Sequence, residues 1–301
     1  MVRNVAEGFL ELEPADFYLL SGVEHGMRFG RWVDREKLPD LADLSPEDVE
    51  YRLDRCLDRD FIERKTIQYE GYRLQFEGYD ALALRALTER DTIEAFGAPL
   101  GVGKESDVFE VRGPDGPLAL KFHREGVTDF RRVARERDYT ADREHVSMLY
   151  TARKAAEREY AALEALSPDV AVPAPVDQNR HAIVMEKIDG VELSRARLPD
   201  DRALSVLDRV LAEVTKAYDA GYVHADMSEF NVAVTERAVT VFDWPQAVPT
   251  DHENARELLV RDVENLLGHF RRKYPGAVPD DVLAADVADR IATAEFETVE
   301  A

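Results

Sequence analysis

Apolar residues between positions 45 and 65 recur at the spacing of a helix. In SPEDVEYRLDRCLDRDFIERK, one stripe collects the apolar side chains Val49, Leu53, Cys56 and Leu57. Ser45 is placed to cap this predicted helix and Pro46 to open it, because proline needs no amide partner at that position. A second stripe of the same helix is basic and contains Arg52, Arg55 and Arg59.

The pattern then becomes extended. TIQYEGYRLQF, residues 66–76, alternates apolar and polar positions about Glu70-Gly71 and predicts a two-stranded hairpin that turns there. Helices followed by such a hairpin predict a winged-helix domain over residues 1–90. The basic stripe has two interpretations, a contact for nucleic acid or protein and a solvated face, and its spacing fits both.

Residues 91–301 predict a two-lobed α+β domain. GVGKESDVFEVRGPDGPLALKFH has the pattern of three antiparallel strands with GPDG as one turn, a helix is predicted over 146–166, and HAIVMEKI predicts a strand. A long amphipathic helix ending at Gly221, a short hairpin in NVAVTERAVTVF and two closing helices follow. This order predicts an N-lobe at about 91–188 and a C-lobe at about 189–301.

Composition narrows the class of protein. The chain is 45% hydrophobic, which indicates a folded globular protein. No apolar run approaches the roughly 18 residues of a membrane span, and the first residues lack the apolar core of a signal peptide. Cys56 is the only cysteine, which excludes an internal disulfide and agrees with a reducing compartment. We therefore expect a cytoplasmic protein without membrane contact.

The charge balance is strongly acidic. Asp and Glu number 61 against 39 Lys and Arg, for a net charge of −22, and lysine is scarce beside arginine. Such a surface suits a cytoplasm at molar salt, where the screening length falls to about 3 Å. We expect a halophilic source, with a mesophilic acidic protein as the alternative. An RNA partner must be held by local basic patches and by shape.

A glycine-containing loop is predicted between two strands, with the sequence Gly101-Val102-Gly103-Lys104-Glu105-Ser106. It is not a Walker A loop, because that motif needs glycine where Ala98 stands and a helix afterwards. Small residues let backbone amides approach a phosphate, and the Ser106 hydroxyl adds a donor. An ordinary hairpin turn would use glycine in the same places.

A lysine and a glutamate are predicted to form an ion pair. Lys121 ends the apolar strand LALKF in a chain that prefers arginine, which favours a compact ammonium for phosphate contact over a plain edge charge. In TARKAAEREYAALEAL one helical face holds Ala152, Ala156, Glu159, Leu163 and Leu166. Glu159 therefore lies on an apolar stripe and needs a cation, and Lys121 is the predicted partner.

Three residues with oxygen side chains follow at a catalytic spacing. HADMSEFN places Asp226 and Asn231 five residues apart between a long helix and a short strand, and Asp243 follows the apolar run VTVF. This is the spacing of a kinase catalytic loop. Asp226 would orient or deprotonate the attacking hydroxyl, while Asn231 and Asp243 would bind Mg²⁺.

Taken together, these motifs resemble the RIO-type atypical kinases, in the subfamily with an N-terminal winged helix. The resemblance rests on GVGKESDVF, LALKFHREG, NRHAIVMEKIDGVEL, HADMSEFNV and FDWPQ, and it spans nearly the whole chain. Ala225 and Trp244 replace the more usual Gly and Phe, and Pro245 replaces the glycine of the kinase Asp-Phe-Gly motif. No Ala-Pro-Glu motif follows, so a conventional peptide-binding lobe does not fit.

The resemblance implies an ATP- and Mg²⁺- (or Mn²⁺-) dependent serine/threonine kinase or ATPase. It implies a role in maturation of the small ribosomal subunit, with precursor rRNA and ribosomal proteins as partners, and phosphorylation of the enzyme's own Asp243. Met185 would gate the adenine pocket, and backbone atoms of Glu186 and Ile188 would pair with adenine. Residues 123–145 would be an arginine-rich loop beside the phosphates, and their composition also predicts a long polar insertion.

Two other classes share part of this pattern. A small-molecule phosphotransferase has the same catalytic-loop spacing, but the GVGKES loop and the winged module argue against it. A ribosome-binding scaffold with a structural nucleotide pocket is the non-enzyme alternative, and the intact Lys121, Asp226 and Asn231 argue against that. The oligomeric state is left open.

Overall fold

The computed structural model describes residues 5–66, 68–103, 105–124 and 141–299, with the side chains of 141–147 and 200 left out. Lys104 and most of the predicted arginine-rich loop lie outside these residues. The chain divides into two compact units. The first contains Met1–Ala156 and Asp177–Val184, and the second contains Glu157–Val176 and Met185–Ala301.

The first unit begins with a winged-helix domain, as the sequence predicts. Its helices are α1 (Val5–Leu10), α2 (Pro14–Gly26), α3 (Leu38–Ala42), α4 (Pro46–Asp58) and α5 (Phe76–Glu89). Its strands are β1 (Val33–Asp34), β2 (Ile62–Thr66) and β3 (Glu70–Leu74), paired in the order β1-β3-β2. The Ser45 hydroxyl accepts a hydrogen bond from the Asp48 amide at 3.1 Å and caps α4, as predicted.

The turn of the wing differs from the prediction. Thr66 pairs with Glu70 across the hairpin, so Gly71 lies inside β3 and not at the turn. A Cβ atom at Gly71 would come 2.8 Å from the Cβ of Trp32. The glycine is therefore required by close packing of the strand against Trp32, and the sequence pattern could not separate this from a turn.

The arginine stripe of α4 does not face solvent as a free surface. Arg52 and Arg55 each donate to the carboxylate of Asp16 at 3.1 Å, and Asp16 is 0% exposed. Arg59 donates to Glu11 at 2.8 Å. The stripe ties α4 to the start of α2, so it is not a freely solvated face. These ion pairs also argue against a contact of the stripe with nucleic acid or protein.

A five-stranded sheet follows in the first unit. Its strands are β4 (Ala95–Val102), β5 (Ser106–Gly113), β6 (Gly116–His123), β7 (Pro175–Asn179) and β8 (Ala182–Glu186), in the order β4-β5-β6-β8-β7. The three predicted strands and the GPDG turn are present, since Gly113 pairs with Gly116. Strand β7 was missed because PVDQN lacks apolar alternation. Residues 123 and 124 were predicted as part of the polar loop, but His123 is the fully buried last residue of β6, and the amide of Arg124 donates to the carbonyl of Glu105.

Helix α5 packs on the sheet and joins it to the winged-helix domain. Ala83, Leu84 and Leu87 share one apolar core with Phe109 and Phe122 of the sheet, among others. The predicted boundary between residues 90 and 91 therefore falls inside one compact unit. The domain limits 1–90 and 91–301 stay a prediction.

The second unit is mainly helical. Helix α6 (Ala141–Leu166) crosses the division between the units and begins five residues earlier than predicted. Then come β9 (Val191–Glu192), α7 (Asp200–Asp219), β10 (Tyr222–Val223), β11 (Val232–Val234), β12 (Val239–Val241), β13 (Val248–Pro249), α8 (Ala255–Lys273) and α9 (Ala284–Ala292). The hairpin β11–β12 and the two closing helices match the prediction. No helix in the described part of the chain has both the length and the apolar character of a membrane span.

Candidate active site

The predicted catalytic loop connects β10 to β11 in the second unit, and a buried aspartate of α8 holds it. Asp262 accepts hydrogen bonds from the amides of Ala225 at 2.7 Å and Met227 at 3.0 Å, the residues on either side of Asp226. Ala225 has a φ of +64°, a left-handed conformation that this pair of bonds supports. Asp226 itself is exposed. Asp262 therefore holds the backbone on both sides of Asp226, while Asp226 itself stays exposed to solvent.

Asp262 was not predicted, although the sequence contained a signal for it. In ARELLVRDVENLLGHF it falls on the same apolar stripe as Leu259, Val263 and Leu266, all of which are buried. The rule that identified Glu159 would have found it. Burial raises the pKa of Asp262 to about 6, and the two amide donors act in the opposite direction.

Asn231 links the two predicted parts of the metal site. Its side-chain Nδ2 donates to the backbone carbonyl of Asp226 at 2.9 Å, and its backbone carbonyl accepts from the amide of Phe242 at 2.9 Å. The first bond fixes the amide group and directs its Oδ1 away from that carbonyl. The second bond holds the residue before Asp243. An amide oxygen and a carboxylate oxygen on adjoining segments fit the donors that Mg²⁺ prefers.

The carboxylates of Asp226 and Asp243 are close enough to affect each other. Partial loss of hydration raises the pKa of Asp226, the negative charge of Asp243 raises it further, and Arg261 acts in the opposite direction. Two carboxylates in one place favour a divalent cation between them and a proton acceptor of raised pKa beside it.

The segment after Asp243 is held by Glu159. The amide of Trp244 donates to Glu159 Oε1 at 3.1 Å, and Glu159 is 1% exposed. The Trp244 ring is buried, lies 4.4 Å from the His224 ring, and donates from Nε1 to the carbonyl of Val241 at 3.2 Å. Asp243 has a φ of +71°. The stripe predicted on α6 is confirmed, since Ala152, Ala156, Leu163 and Leu166 are all buried with Glu159.

The predicted phosphate-binding residues belong to the first unit. Lys121 is buried on β6, paired in register with Val108 of β5. The loop between β4 and β5 is closed by a hydrogen bond from the Gly103 amide to the Ser106 carbonyl at 2.8 Å. A Cβ at Gly101 would meet no described atom within 4 Å, so packing does not demand this glycine. An absent side chain with open space beside it fits close approach by a ligand.

The residues predicted to hold adenine belong to the second unit. Met185 is buried, Glu186 is exposed and ends β8, and Ile188 is partly buried. The Glu186 amide already donates to the carbonyl of Ala174 at 2.8 Å. Of the Glu186 backbone atoms predicted to pair with adenine, we therefore expect the carbonyl oxygen to do so. The ion pair of Lys121 with Glu159 joins residues of different units and stays a prediction, and Lys104 lies outside the described residues.

Comparison with known proteins identifies the family. Residues 107–282 match the family model of the RIO domain, and residues 9–90 match that of the Rio2 N-terminal region. The chain is 42% identical over 266 residues to the RIO-type serine/threonine-protein kinase Rio2 of Methanocaldococcus jannaschii, covering 86% of this chain and 97% of that protein. The chain belongs to the Rio2 family of RIO-type serine/threonine-protein kinases.

Other Rio2 proteins extend this finding. The serine/threonine-protein kinase RIO2 of Caenorhabditis elegans is 37% identical over 87% of this chain, which spans only 50% of that longer protein. The crystal structure of the Rio2 kinase–ADP/Mg²⁺–phosphoaspartate complex from Chaetomium thermophilum has a TM-score of 0.83 and 29% identity. The matched region covers 95% of this chain and 89% of the Chaetomium thermophilum chain. The winged helix followed by a RIO kinase domain is thus the fold of this enzyme, and its relatives are serine/threonine-protein kinases.

Proposed function

We propose that this Rio2-family kinase binds ATP with Mg²⁺ (or Mn²⁺) and transfers the γ-phosphoryl group to its own Asp243, working as an ATPase switch. The observation that carries the proposal is the position of Asn231, which bonds the backbone of Asp226 and the residue before Asp243. The phosphoaspartate and ADP/Mg²⁺ of the Chaetomium thermophilum Rio2 structure support it.

The residues of the second unit divide the chemistry among them. Mg²⁺, when bound, neutralises charge on the phosphates. Asn231 Oδ1 and the carboxylate of Asp243 are the oxygen ligands that hold it. Asp226 orients or deprotonates the attacking group, a task for which a raised pKa suits it. Met185 and the backbone of Glu186 and Ile188 hold adenine.

The first unit supplies the phosphate contacts. Lys121 binds the α- and β-phosphates and takes Glu159 as its counter-ion. The loop residues Gly101, Val102, Gly103, Lys104 and Ser106 surround the phosphates, with Gly101 leaving the space that a ligand needs.

The transfer balances without another reactant. An oxygen of Asp243 attacks the γ-phosphorus, the bond to the β–γ bridging oxygen breaks, and ADP leaves with that electron pair. Water then attacks the phosphorus of the acyl phosphate, its proton passes to Asp226, and phosphate leaves as the carboxylate is restored.

Incubation of the full chain with γ-labelled ATP tests this reaction. We expect slow phosphate release and a protein label that hydroxylamine removes and that maps to Asp243. A stable phosphoserine with Asp243 never modified contradicts the aspartyl phosphate and leaves ordinary autophosphorylation. If ATP still binds but the protein gains no label and releases no phosphate, the result favours a scaffold with a structural nucleotide pocket. Calorimetric titration of ATP with and without Mg²⁺ measures binding independently of turnover.

We also propose that the enzyme acts in the cytoplasm on the precursor of the small ribosomal subunit, through rRNA and ribosomal proteins. Family membership and the winged-helix domain support this role, and the charge of −22 supports a halophilic source. Cosedimentation with small subunits at molar and at low potassium chloride tests it. Absence of association at every salt concentration contradicts the ribosomal role. Association only at low salt contradicts the halophilic source.

A further inference from the structure

Arg124, directly after β6, joins the winged-helix domain to the sheet of the first unit. Its two terminal nitrogens donate to the two carboxylate oxygens of Asp80, each at 2.7 Å. Asp80 belongs to α5 of the winged helix and is 2% exposed. The Nε of Arg124 donates to Asp107 of β5 at 3.0 Å. One guanidinium thus binds an acid from the winged helix and an acid beside the glycine loop.

The backbone of Arg124 holds the glycine loop as well. Its amide donates to the carbonyl of Glu105 at 2.6 Å, and Glu105 lies inside the loop that Gly103 and Ser106 close. Asp107 directly follows Ser106. Arg124 therefore fixes the loop at a carbonyl within it and at a side chain one residue beyond its end.

The surroundings make this arrangement rigid. The Arg124 side chain is 12% exposed and lies 5.2 Å from the ring centre of Phe76 and 5.3 Å from that of Phe122. His181 Nε2 is 2.7 Å from Asp80 Oδ1. Burial would raise the pKa of Asp80, but the charge of Arg124 and the bond to His181 outweigh it and lower that pKa. Burial lowers the pKa of His181 to about 4, so the ring is neutral at neutral pH.

We propose that Arg124 is a positioning residue for phosphate binding, and that Asp80 of the winged helix is the counter-ion that orients it. The winged-helix domain thereby becomes part of the ATP-binding machinery of the RIO domain, in addition to any role with a partner. This inference rests on the proposed ATP function, since the loop is assumed to contact phosphates. A bidentate charge-assisted pair fixes a guanidinium better than a single bond does, which suits Asp80 to this task.

The test compares ATP with adenosine on full-length variants. Asp80→Asn keeps the shape of the side chain and removes its charge, so we expect ATP binding weaker by about tenfold. Adenosine has no phosphates, so its affinity should be unchanged, and the ratio of ATP affinity to adenosine affinity is the readout. Asp107→Asn leaves the Asp80–Arg124 pair intact and should give a smaller loss of the same kind, and it decides the matter if Asp80→Asn does not fold.

Glu24→Gln is the matched control. Glu24 accepts two bonds from Arg180, at 2.9 and 2.6 Å, and this pair links α2 to the β7–β8 turn instead of the glycine loop. We expect a lower melting temperature with an unchanged ratio of ATP to adenosine affinity. An unchanged ratio in Asp107→Asn and in any folded Asp80→Asn, or an equal change in Glu24→Gln, overturns the proposal. Failure of the wild-type chain to bind ATP defeats the proposed function instead.

Discussion

The carboxylate of Glu159 accepts a hydrogen bond from the backbone amide of Trp244, and thereby holds the residue that follows the predicted metal ligand Asp243. Glu159 comes from a helix and Trp244 from a loop 85 positions later. A carboxylate bound in this way is oriented before any nucleotide arrives. In the proposed mechanism this side chain serves both Lys121 and the metal loop.

The first prediction separates these two tasks of Glu159. Glu159→Gln keeps an oxygen that accepts from the Trp244 amide but loses the charge for Lys121, so we expect moderately weaker ATP binding. Glu159→Ala loses both and should also reduce the affinity for Mg²⁺, while Lys121→Ala should weaken or misplace ATP alone. Titration calorimetry with ATP and Mg²⁺ measures these effects. Unchanged ATP affinity and turnover in Lys121→Ala and Glu159→Gln would remove the pair from the mechanism.

The second prediction concerns the two aspartates of the site. Asp226→Asn keeps the shape and removes the base, so turnover should fall by about 10²-fold while ATP stays bound. Asp243→Asn should lose the Mg²⁺-dependent activity and the hydroxylamine-sensitive label together. Single-turnover assays with labelled ATP, combined with nucleotide binding, distinguish the two variants. Equal behaviour of both would contradict a division of roles.

The third prediction concerns Asp262 behind the catalytic loop. In Asp262→Asn one of the two backbone amides faces an NH₂ group instead of an oxygen, so the loop loses a bond on one side of Asp226. We expect kcat to fall by about tenfold with little change in KM for ATP. Asp289→Asn is the control, since it removes an exposed ion pair between Asp289 of α9 and Arg256 of α8. A fall in kcat of the same size in the control would refute a specific role for Asp262.

The fourth prediction is a dependence on pH. The pKa of Asp262 rises from about 4 in an unfolded chain to about 6 in the fold. Because the folded state binds this proton more tightly, the group's contribution to stability is complete below about pH 4 and is lost as pH rises through about 6. Protonation turns one of the two accepting oxygens of Asp262 into a hydroxyl, so we expect kcat instead to fall as pH drops below about 6. Between about pH 4 and 6 the free energy of unfolding, measured with urea, should fall as pH rises, while kcat should rise. Asp262→Asn should remove this pH dependence of the unfolding free energy.

The fifth prediction concerns the arginine stripe of α4. Replacing Arg52, Arg55 and Arg59 by Gln leaves the buried Asp16 without its cations, which costs about 3–5 kcal/mol of unfolding free energy. Urea unfolding measures this loss. Association with small subunits, assayed where the variant stays folded, should be unaffected. Weaker association with unchanged stability would restore the stripe as a binding surface.

Residues whose partners are local in the chain were predictable from the sequence. Helical periodicity placed Glu159 on the apolar face of α6, and the spacing of HADMSEFN placed Asp226 and Asn231 on one loop. Ser45 caps α4 because the amide it meets is three residues away. In each case the geometry of a helix, strand or short loop fixes the distance between the residues, and the pattern alone carries that information.

Partners distant in the chain were decided only by the tertiary structure. Arg52 looked like a surface charge until α4 packed beside Asp16, and Arg124 looked like part of a polar loop until α5 brought Asp80 to it. Gly71 looked like a turn because the side chain that excludes a Cβ there, Trp32, lies on another segment. Periodicity states which face of an element is buried, but the element that covers this face, and hence the charge that a buried group meets, follows from how the whole chain folds.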